Sequence, residues 1–302
     1  MKTAFLNKIL VCPLCRQGLK QQTSCFFCNK CQRKYPVKCS IPTFLSAALT
    51  DDVLLSQDKW NNLYKPEDSQ VNPKTDPFTL VYLAFLTKYL PEIRQGIFLD
   101  LGCGPAWLSS LLAQQEQKIL GVDISLQALQ LAKQLFSRQK LSGDFIQADL
   151  LHLPIKDDVI RFIFSCMSLE YVRDTSQAIK EAYRVLGKRG TIIAIVPVIS
   201  LTTLTYHQLR GDIPNIPLIK PFMEWLHFAV WQGKKMHYGY EQSFTPKQLR
   251  ILFTKAGFHV SAIGYFPTYY PIAFLPKMIR PQIQALMKLR PFWPLVYVEA
   301  VK

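Results

Sequence analysis

An acid and two closely spaced glycines, placed at the end of an apolar run, restrict the folds open to this chain more than any other feature. In the segment from Phe98 to Ala106, Asp100 is followed by Gly102 and Gly104. Glycine lets the backbone turn sharply and approach a ligand closely, and a helix that starts there points its free N–H groups at that ligand. About twenty residues later a second apolar run ends at Asp123, whose carboxylate is suited to a ribose diol. The pattern predicts a nucleotide-type cofactor at the rim of a parallel sheet.

The residues around the two glycines narrow the choice of cofactor. A dinucleotide site requires a third glycine three residues after the second, and the bulky Trp107 stands there instead. A phosphate-binding P-loop is also disfavoured, because no Gly-Lys-Ser or Gly-Lys-Thr follows. The acid two residues before the first glycine suits a ligand with a cationic or ammonium-bearing arm better than a pyrophosphate.

Four segments carry a resemblance to a known family. Phe98–Ala106 and Gly121–Ser125 resemble the first two motifs of the class I S-adenosylmethionine (SAM) methyltransferases. Asp149–Asp158, together with Ile163–Ser165, is similar to the third-strand acid and the fourth strand of the small-molecule-type branch of that family.

This resemblance implies a SAM site at the carboxyl ends of several strands. Asp149 would accept a hydrogen bond from the adenine amino group, and Ile124 and Leu150 would flank the adenine ring. Ser165 and Cys166 would line the channel through which the methyl group passes. The implied cofactor-binding residues are Asp100, Gly102, Gly104, Asp123, Ile124, Asp149, Leu150 and Ser165.

Strand-like and helix-like segments alternate after residue 96, which is typical of a doubly wound α/β sheet. The first five strands are expected at residues 97–101, 118–122, 144–148, 159–166 and 190–196. Ser125 and Asp174 are expected to cap the helices that follow two of the strands. The predicted fold is a Rossmann-like, mainly parallel seven-stranded sheet whose last strand, at 294–302, is antiparallel, plus a small N-terminal zinc ribbon.

Two Cys-x-x-Cys pairs separated by twelve residues mark the start of the chain: Cys12 with Cys15, and Cys28 with Cys31. Four thiolates on two turns can close a tetrahedral zinc site, and a segment this short has too small an apolar core to fold otherwise. Cys25 forms a rival Cys-x-x-Cys pair with Cys28. The residues alone therefore predict a Zn²⁺ site with some ambiguity in its second pair.

The segment after the second pair carries a resemblance of its own. With its Tyr35-Pro36-Val37 and Ile41-Pro42 sequences, it resembles the small zinc-ribbon proteins that act as activating partners of tRNA and translation-factor methyltransferases. The resemblance implies that Cys25 lies outside the metal site. Those proteins commonly have a Gly-Ile-Pro turn, and Ser40 replaces the glycine here, which is expected to reshape the turn.

The positive charge of the chain, formally +15, lies at its two ends. Residues 1–48 have eight Lys or Arg and no acid, residues 198–302 have twelve against four acids, and residues 90–197 are nearly neutral. Basic patches attract nucleic acid or anionic membrane surfaces, so RNA and a membrane surface are open partners. Because neither a signal-type leader nor a proline-free apolar run of about twenty residues occurs, a cytoplasmic protein is expected, with peripheral membrane attachment left open.

The chain is expected to divide into a zinc ribbon at 1–48, a helical connector and cofactor cap at 49–95, and a methyltransferase domain at 96–302. In the connector, Trp60 and Tyr64 resemble the aromatic lead-in that often folds over the cofactor in these enzymes. Plain packing of the two rings is the main alternative. The oligomeric state is left open.

Acceptor choice is expected to depend on an aromatic-rich lid at 198–245. Methyl transfer from a sulfonium is an in-line displacement, and it needs a general base only when the acceptor must lose a proton. The catalytic residues therefore stay unassigned, with His207, His237 and Glu241 as candidate bases. The Asn-Pro-Pro-Tyr type of motif for exocyclic amines is absent, because residues 165–168 read Ser-Cys-Met-Ser.

Three functional hypotheses follow. A methyltransferase acting on a lipophilic or other small molecule is slightly favoured, because the core resembles that branch. The alternatives are an RNA methyltransferase that binds through the basic ribbon, and a non-catalytic SAM-binding scaffold. The acids at 100, 123 and 149 disfavour the scaffold. Cys166 as a nucleophile is a further alternative, although a buried strand cysteine is far commoner.

Overall fold

The computed structural model describes residues 4–45, 51–201, 212–236, 238–267 and 276–302, without the side chains of 51 and 52. The strands are β1 (Lys20–Gln21), β2 (Cys25–Cys28), β3 (Arg33–Lys38), β4 (Ile41–Pro42), β5 (Ile97–Leu101), β6 (Lys118–Asp123), β7 (Asp144–Gln147), β8 (Ile160–Cys166), β9 (Leu186–Pro197), β10 (Ile213–Pro214), β11 (Gln242–Ser243), β12 (His259–Tyr265) and β13 (Leu295–Val301). The α-helices are α1 (Ala4–Ile9), α2 (Asp51–Leu63), α3 (Pro77–Leu86), α4 (Leu90–Ile93), α5 (Trp107–Ala113), α6 (Leu126–Arg138), α7 (Thr175–Val185), α8 (Ile219–Trp225), α9 (Pro246–Lys255) and α10 (Arg280–Met287).

A seven-stranded sheet in the order β12-β13-β9-β8-β5-β6-β7 forms the centre of the molecule. The five strands β9, β8, β5, β6 and β7 are mutually parallel. The strand β13 pairs antiparallel with both of its neighbours, β12 and β9. The first of these strands, β5, is buried along its whole length, as expected for a parallel sheet covered on both faces. The predicted fold class is confirmed, including the antiparallel last strand.

Side-chain caps fix where several helices begin. The Ser125 hydroxyl accepts a hydrogen bond from the Ala128 amide at 3.1 Å, and α6 begins directly after this predicted cap. Asp174 caps α7 in the same way. The second half of the predicted helical connector is divided into α3, a 3₁₀ turn at Thr87–Tyr89 and α4. Pro91 follows the break, where its ring removes a backbone donor and disfavours a continuous helix.

The N-terminal segment forms a separate antiparallel sheet in the order β1-β2-β3-β4. Its last two strands are joined by Cys39 and Ser40, which both have positive φ, at 50° and 61°. Two consecutive left-handed residues make the type I′ type of two-residue hairpin, which suits the twist of antiparallel strands. Ser40 thus occupies a conformation that glycine adopts more easily.

This small sheet packs against one edge of the large one. Thr43, just after β4, pairs in parallel with Gln147 of the edge strand β7, and the Phe44 amide donates to the Gln147 carbonyl at 2.7 Å. A second contact joins Leu10 to Ile155 as an antiparallel bridge. Apolar side chains of both parts belong to one continuous core.

Two covers lie at the carboxyl edge of the large sheet. Asn61 of α2 accepts a 2.8 Å hydrogen bond from the Ser125 hydroxyl, so this helix sits over the start of α6. The second cover follows β9: β10 and β11 pair in parallel at its base, and α8 continues into a π-helical turn at Leu226–Val230. Among the residues that the structure describes, no helix is both long enough and apolar enough to cross a membrane.

Candidate active site and metal centre

The glycine turn follows β5 as predicted and is tied to β6. The amides of Gly102 and Cys103 both donate to the Val122 carbonyl, at 2.8 and 3.0 Å. Gly102 and Gly104 have φ of +80° and +51°, a region that strains other residues. Neither has room for a Cβ, because the added atom would clash with the Ser168 side chain at Gly102 and lie 2.7 Å from the Tyr64 hydroxyl at Gly104.

The carboxylate of Asp123 holds this turn and the next one together. One oxygen accepts from the Gly104 amide and the other from the Ser125 amide, both at 2.8 Å. The side chain is 8 % exposed, and burial raises its pKa to about 6 although the N–H donors act in the opposite direction. It therefore lies at the rim as predicted, with its position fixed by the backbone on either side.

Asp100 lies deeper, under the turn. It is 5 % exposed and accepts a hydrogen bond from the Ser109 hydroxyl at the start of α5. Burial raises its pKa to about 7, the Ser109 hydrogen bond lowers it, and the charge of Asp123 raises it further. Asp100 is not among the residues that line the cleft described next.

The cleft above the turn is shallow and covered by aromatic rings. It is lined by Trp60, Tyr64, Gly102, Asp123, Ile124, Leu150, Met167, Ser168 and Tyr171. The structure therefore brings together four of the predicted cofactor residues. Asp149 lies nearby, with one oxygen accepting from the Leu151 amide at 3.0 Å and the other 3.5 Å from the His152 ring.

Ser165 differs from its expected place, because it lies beneath the cleft and does not line it. It is fully buried, and its hydroxyl is 2.6 Å from the hydroxyl of Ser168. Ser168 in turn donates to the Leu101 carbonyl at 2.8 Å. These two hydrogen bonds link the ends of β5 and β8. Of the two serines, Ser168 is the one that lines the cleft.

Four aromatic side chains form the cover of the cleft. Trp60 stacks on Tyr64 and on Tyr238, with ring centroids 5.9 and 5.4 Å apart, and meets Tyr171 edge-on at 5.0 Å. Tyr64 reaches the floor, and its pKa is raised by burial and by the charge of Asp123. Sequence reasoning identified the first two rings and missed Tyr171 and Tyr238, since nothing in the local pattern indicates that they meet.

A group of buried acids lies beside this cover. Glu170 is 0 % exposed in the 3₁₀ turn Leu169–Tyr171 that follows β8. Burial raises its pKa well above the usual value, and the charges of Glu241 and Asp212 raise it further. Glu241, a predicted candidate base, is 2 % exposed at the base of the lid. The other two candidates, His207 and His237, lie outside the described residues.

Cys166 ends β8 close to this group. Burial raises its pKa, although a hydrogen bond with Tyr82 lowers it. A thiol whose pKa is raised stays protonated at neutral pH, and the thiolate is the nucleophilic form. The alternative in which Cys166 acts as a nucleophile is therefore disfavoured.

Four cysteine thiols converge in the N-terminal sheet. The Sγ atoms of Cys12, Cys15, Cys28 and Cys31 all lie within 4.8 Å of one another. The Cys12–Cys31 and Cys15–Cys28 pairs are 3.9 and 3.5 Å apart. Tetrahedral zinc with Zn–S bonds of about 2.3 Å requires sulfur atoms about 3.8 Å apart, so the four side chains fit such an ion.

The surroundings of the cluster agree with that fit. The Cys31 amide donates to the Cys28 sulfur at 3.4 Å, and the Tyr35 hydroxyl lies 3.2 Å from the Cys12 sulfur. Cys25 turns away, with its thiol 3.1 Å from the side-chain oxygen of Gln22. The Cys25 thiol thus lies outside the four-cysteine cluster.

Comparison with known proteins extends these observations. A family model described as a methyltransferase domain matches residues 99–194. The chain is 28 % identical over 177 residues to a demethylmenaquinone methyltransferase of Lactiplantibacillus plantarum, covering 53 % of this chain and 69 % of the relative. It is 31 % identical over 102 residues to a malonyl-[acyl-carrier protein] O-methyltransferase of Hamiltonella defensa, covering 34 % of this chain and only 38 % of that relative.

Solved structures share the fold at low sequence identity. The geranyl diphosphate C-methyltransferase of Streptomyces coelicolor aligns with a TM-score of 0.57 and 13 % identity, over 85 % of this chain and 99 % of that one. A chain in the complex between the Haloferax volcanii Trm112 methyltransferase activator and a methyltransferase aligns with a TM-score of 0.54 and 17 % identity, over 82 % of this chain and 96 % of that one.

The fold, the glycine turn and the family match together define the class of protein. Residues 99–194 match a methyltransferase domain and contain most of the five parallel strands of the large sheet. The methyltransferase domain at residues 99–194 and the fold shared with solved methyltransferases support a SAM-dependent methyltransferase.

Proposed function

We propose that this enzyme transfers the methyl group of SAM to a lipophilic or other small-molecule acceptor that enters at the carboxyl edge of the sheet. The observation that carries the proposal is the cleft itself, in which a glycine turn and Asp123 face an aromatic cover across the end of β8. The names of the curated relatives, which include a demethylmenaquinone methyltransferase, favour the same class of acceptor.

Within this proposal, the glycine turn and Asp123 hold the ribose and the amino acid arm of SAM. Ile124 and Leu150, which both line the cleft, flank the adenine ring. Asp149 accepts a hydrogen bond from the adenine amino group. Asp100 and Ser165 act from below, since each is buried and hydrogen-bonded to a neighbouring serine.

The chemistry needs little covalent participation by the protein. When bound, SAM supplies a sulfonium methyl group that an acceptor displaces in line. The cover formed by Trp60, Tyr64, Tyr171 and Tyr238 excludes water from the cleft, which prevents side reactions and strengthens electrostatic interactions there. These rings must part for the ligands to enter, because the Tyr64 hydroxyl lies against Gly104.

The four-cysteine cluster is proposed to hold one structural Zn²⁺. All four positions of a tetrahedral ion would be filled by thiolates, as in structural rather than catalytic zinc sites. The ion would stabilise a segment whose strands are only two to six residues long.

RNA is the second candidate acceptor, and one feature of the small sheet favours it. Five basic side chains are exposed there: Lys20, Lys30, Arg33, Lys34 and Lys38. Such a surface neutralises phosphates without reading sequence.

Labelling with SAM carrying a radioactive methyl group distinguishes the two candidates. The purified chain is offered lipid and small-molecule extracts, RNA and protein extracts separately. Label is expected in the lipid and small-molecule fraction. Label found only in RNA would replace the proposed acceptor by the second candidate, and label in no fraction would contradict the proposed activity.

A further inference from the structure

Among the described residues, the carboxyl group of Glu170 is buried and has neither oxygen hydrogen-bonded. Glu170 is 0 % exposed, and neither of its carboxyl oxygens has a hydrogen-bond partner within the residues that the structure describes. A buried polar group in this condition costs free energy even when it is neutral. Such groups are rare in folded proteins, and a ligand that supplies the missing hydrogen bond is one physical reason to retain them.

The position of Glu170 relates it to the cleft. It is the middle residue of the 3₁₀ turn Leu169–Tyr171 and lies behind the lining of the cleft, to which Tyr171 and Ser168, the residue before the turn, both belong. This turn follows the end of β8 after Met167 and Ser168, which both line the cleft. Cys166 and Tyr82 lie close enough to the carboxyl group for its charge to raise the pKa of each.

Two acids raise the pKa of the Glu170 carboxyl group, while the backbone N–H groups of Glu170 and Ser168 lower it. Asp212 lies just before β10 and Glu241 just before β11 at the base of the lid, and both raise the pKa of Glu170. The remaining neighbours are the phenols of Tyr82 and Tyr171 and the thiol of Cys166. No cationic side chain appears among the groups that shift its pKa.

We propose that Glu170 binds the reacting hydroxyl or amino group of the acceptor and takes up its proton during methyl transfer. This inference rests on the proposed function and deepens it, because it names the acceptor class as one whose reacting oxygen or nitrogen carries a hydrogen. The ligand's O–H or N–H group donates the hydrogen bond that the carboxyl oxygens lack.

The step balances without any further reactant. The lone pair of the acceptor oxygen or nitrogen forms the new bond to the methyl carbon, and the bond from that carbon to sulfur breaks. Its electron pair stays on sulfur, which gives neutral S-adenosylhomocysteine. The proton of the acceptor passes to the carboxylate of Glu170, from which it later leaves to solvent.

The pH dependence follows from the state of the carboxyl group. Burial and the two neighbouring acids raise the pKa of Glu170, so a larger share of it is protonated at a given pH than for an exposed glutamate. Only the carboxylate form accepts a proton, and therefore the rate is expected to rise with pH and level off above the pKa of Glu170 in the complex.

The test is the pH profile of label transfer from SAM into the lipid and small-molecule extract, between about pH 6 and about pH 9. Glu170→Gln keeps the shape of the side chain and removes the basic oxygen. It is expected to lower the rate by roughly 100-fold to 10,000-fold, which is the usual contribution of a general base, and to abolish the rising limb. Calorimetric affinity for S-adenosylhomocysteine is expected to stay close to that of the wild type.

Glu299→Gln is the matched control, since Glu299 is a hydrogen-bonded glutamate of β13 that accepts from Ser261 at 2.9 Å. Its rate and pH profile should match the wild type. A wild-type rate and rising limb in Glu170→Gln would overturn the inference and leave the proposed function standing. If that variant does not fold, the wild-type profile still decides, because a flat profile would contradict proton uptake by Glu170. A wild-type chain that labels no fraction would overturn the proposed function itself and this inference with it.

Discussion

The two sides of the cleft differ in how their buried polar side chains are held. On the proposed cofactor side, Asp123 accepts hydrogen bonds from two backbone amides, and Asp100 accepts one from the Ser109 hydroxyl. On the proposed acceptor side, the Glu170 carboxyl has no hydrogen-bond partner among the described residues. A pre-organised cofactor side costs little reorganisation when SAM binds, whereas the acceptor side has unmet hydrogen-bonding capacity for a ligand to satisfy.

The cofactor side is supported from outside by the small N-terminal sheet. The segment after Asp149 is held by backbone bonds from Val11 to Pro154 and from Lys156 to Ile9, at 3.0 and 2.8 Å. Arg16 adds a 2.8 Å hydrogen bond to the Leu153 carbonyl. Support for the proposed adenine end of the cleft therefore depends on the sheet that carries the four clustered cysteines.

Removal of the metal should give the largest effect and should be felt first on the cofactor side. Structural zinc sites contribute about 10–16 kcal/mol of binding free energy, so Cys12→Ser is expected to unfold the small sheet. Purified wild-type protein should contain about one zinc per chain, and the variant none, by elemental analysis. Affinity for S-adenosylhomocysteine should fall because the segment from Leu153 to Lys156 loses its partners.

Cys25→Ser is the matched control, because this thiol lies outside the cluster. It should retain zinc, thermal stability and cofactor affinity. A metal-free wild-type chain that is fully folded would contradict the proposed zinc site. A zinc-free variant with unchanged cofactor affinity would show that the small sheet does not support cofactor binding.

The pH dependence of the unfolding free energy tests how strongly burial desolvates the Asp100 carboxyl group on the proposed cofactor side. Asp100 has a folded pKa of about 7, raised from the model-compound value of 3.8. Because the folded pKa lies above the unfolded one, the folded state binds the proton more tightly. The stabilisation is complete below the unfolded pKa and is lost as pH rises through the folded one.

The ligand-free wild type is therefore expected to lose roughly 4 kcal/mol of unfolding free energy between about pH 4 and about pH 7 through this group. Asp100→Asn keeps an acceptor for the Ser109 hydroxyl and removes the titration, so its stability should vary less over that window. Urea unfolding at several pH values measures the difference. Identical pH profiles for the two proteins would show that burial does not perturb Asp100.

Asp123→Ala should produce the next effect, a loss of SAM affinity of about tenfold to 100-fold. The substitution removes the proposed ribose contact and also two charge-assisted hydrogen bonds to backbone amides, each of about 1.5–3 kcal/mol in favourable cases. Calorimetry with SAM provides the measurement. Asp157→Ala is the control, because this acid has 63 % of its side chain exposed and pairs with Arg184 away from the cleft. Unchanged affinity in Asp123→Ala would remove the main support for the proposed cofactor site.

These two sides also differ in how far the sequence predicts them. The glycine turn, Asp123 and the capped start of α6 follow from short patterns, because each depends on neighbours within a few residues along the chain. The burial of Ser165 under Ser168 could not be predicted, since the two serines are equally polar in sequence and only the path of β8 decides which one lines the cleft.

The other features that the sequence does not predict depend on contacts between residues far apart along the chain. Tyr238 meets Trp60 across 178 positions of sequence, and the pairing of Thr43 with Gln147 spans more than one hundred. No periodicity within an element indicates such partners. The burial of Glu170 could not be predicted for a related reason. An acid in a turn is usually exposed, and Glu170 becomes buried only when α3, the base of the lid and β8 pack together.

The smallest expected effect tests the contact between the aromatic cover and the glycine turn. In Gly104→Ala, the new Cβ would lie 2.7 Å from the Tyr64 hydroxyl at a φ of +51°. The expected cost is about 1–2 kcal/mol of unfolding free energy, part of it from the left-handed backbone and part from the clash. Tyr64→Phe removes the hydroxyl. The double variant should therefore lose the cost of the clash and keep the cost of the left-handed backbone.

Gly18→Ala is the control, since nothing lies within 4 Å of a Cβ built there. A double-mutant cycle measured by urea unfolding isolates the coupling between Gly104 and Tyr64. Additive costs would mean that Tyr64 does not press on the turn and that the cover lies open in the ligand-free enzyme. Coupling that disappears on addition of S-adenosylhomocysteine would show the opposite, because the tyrosine must leave the turn when the cofactor site fills.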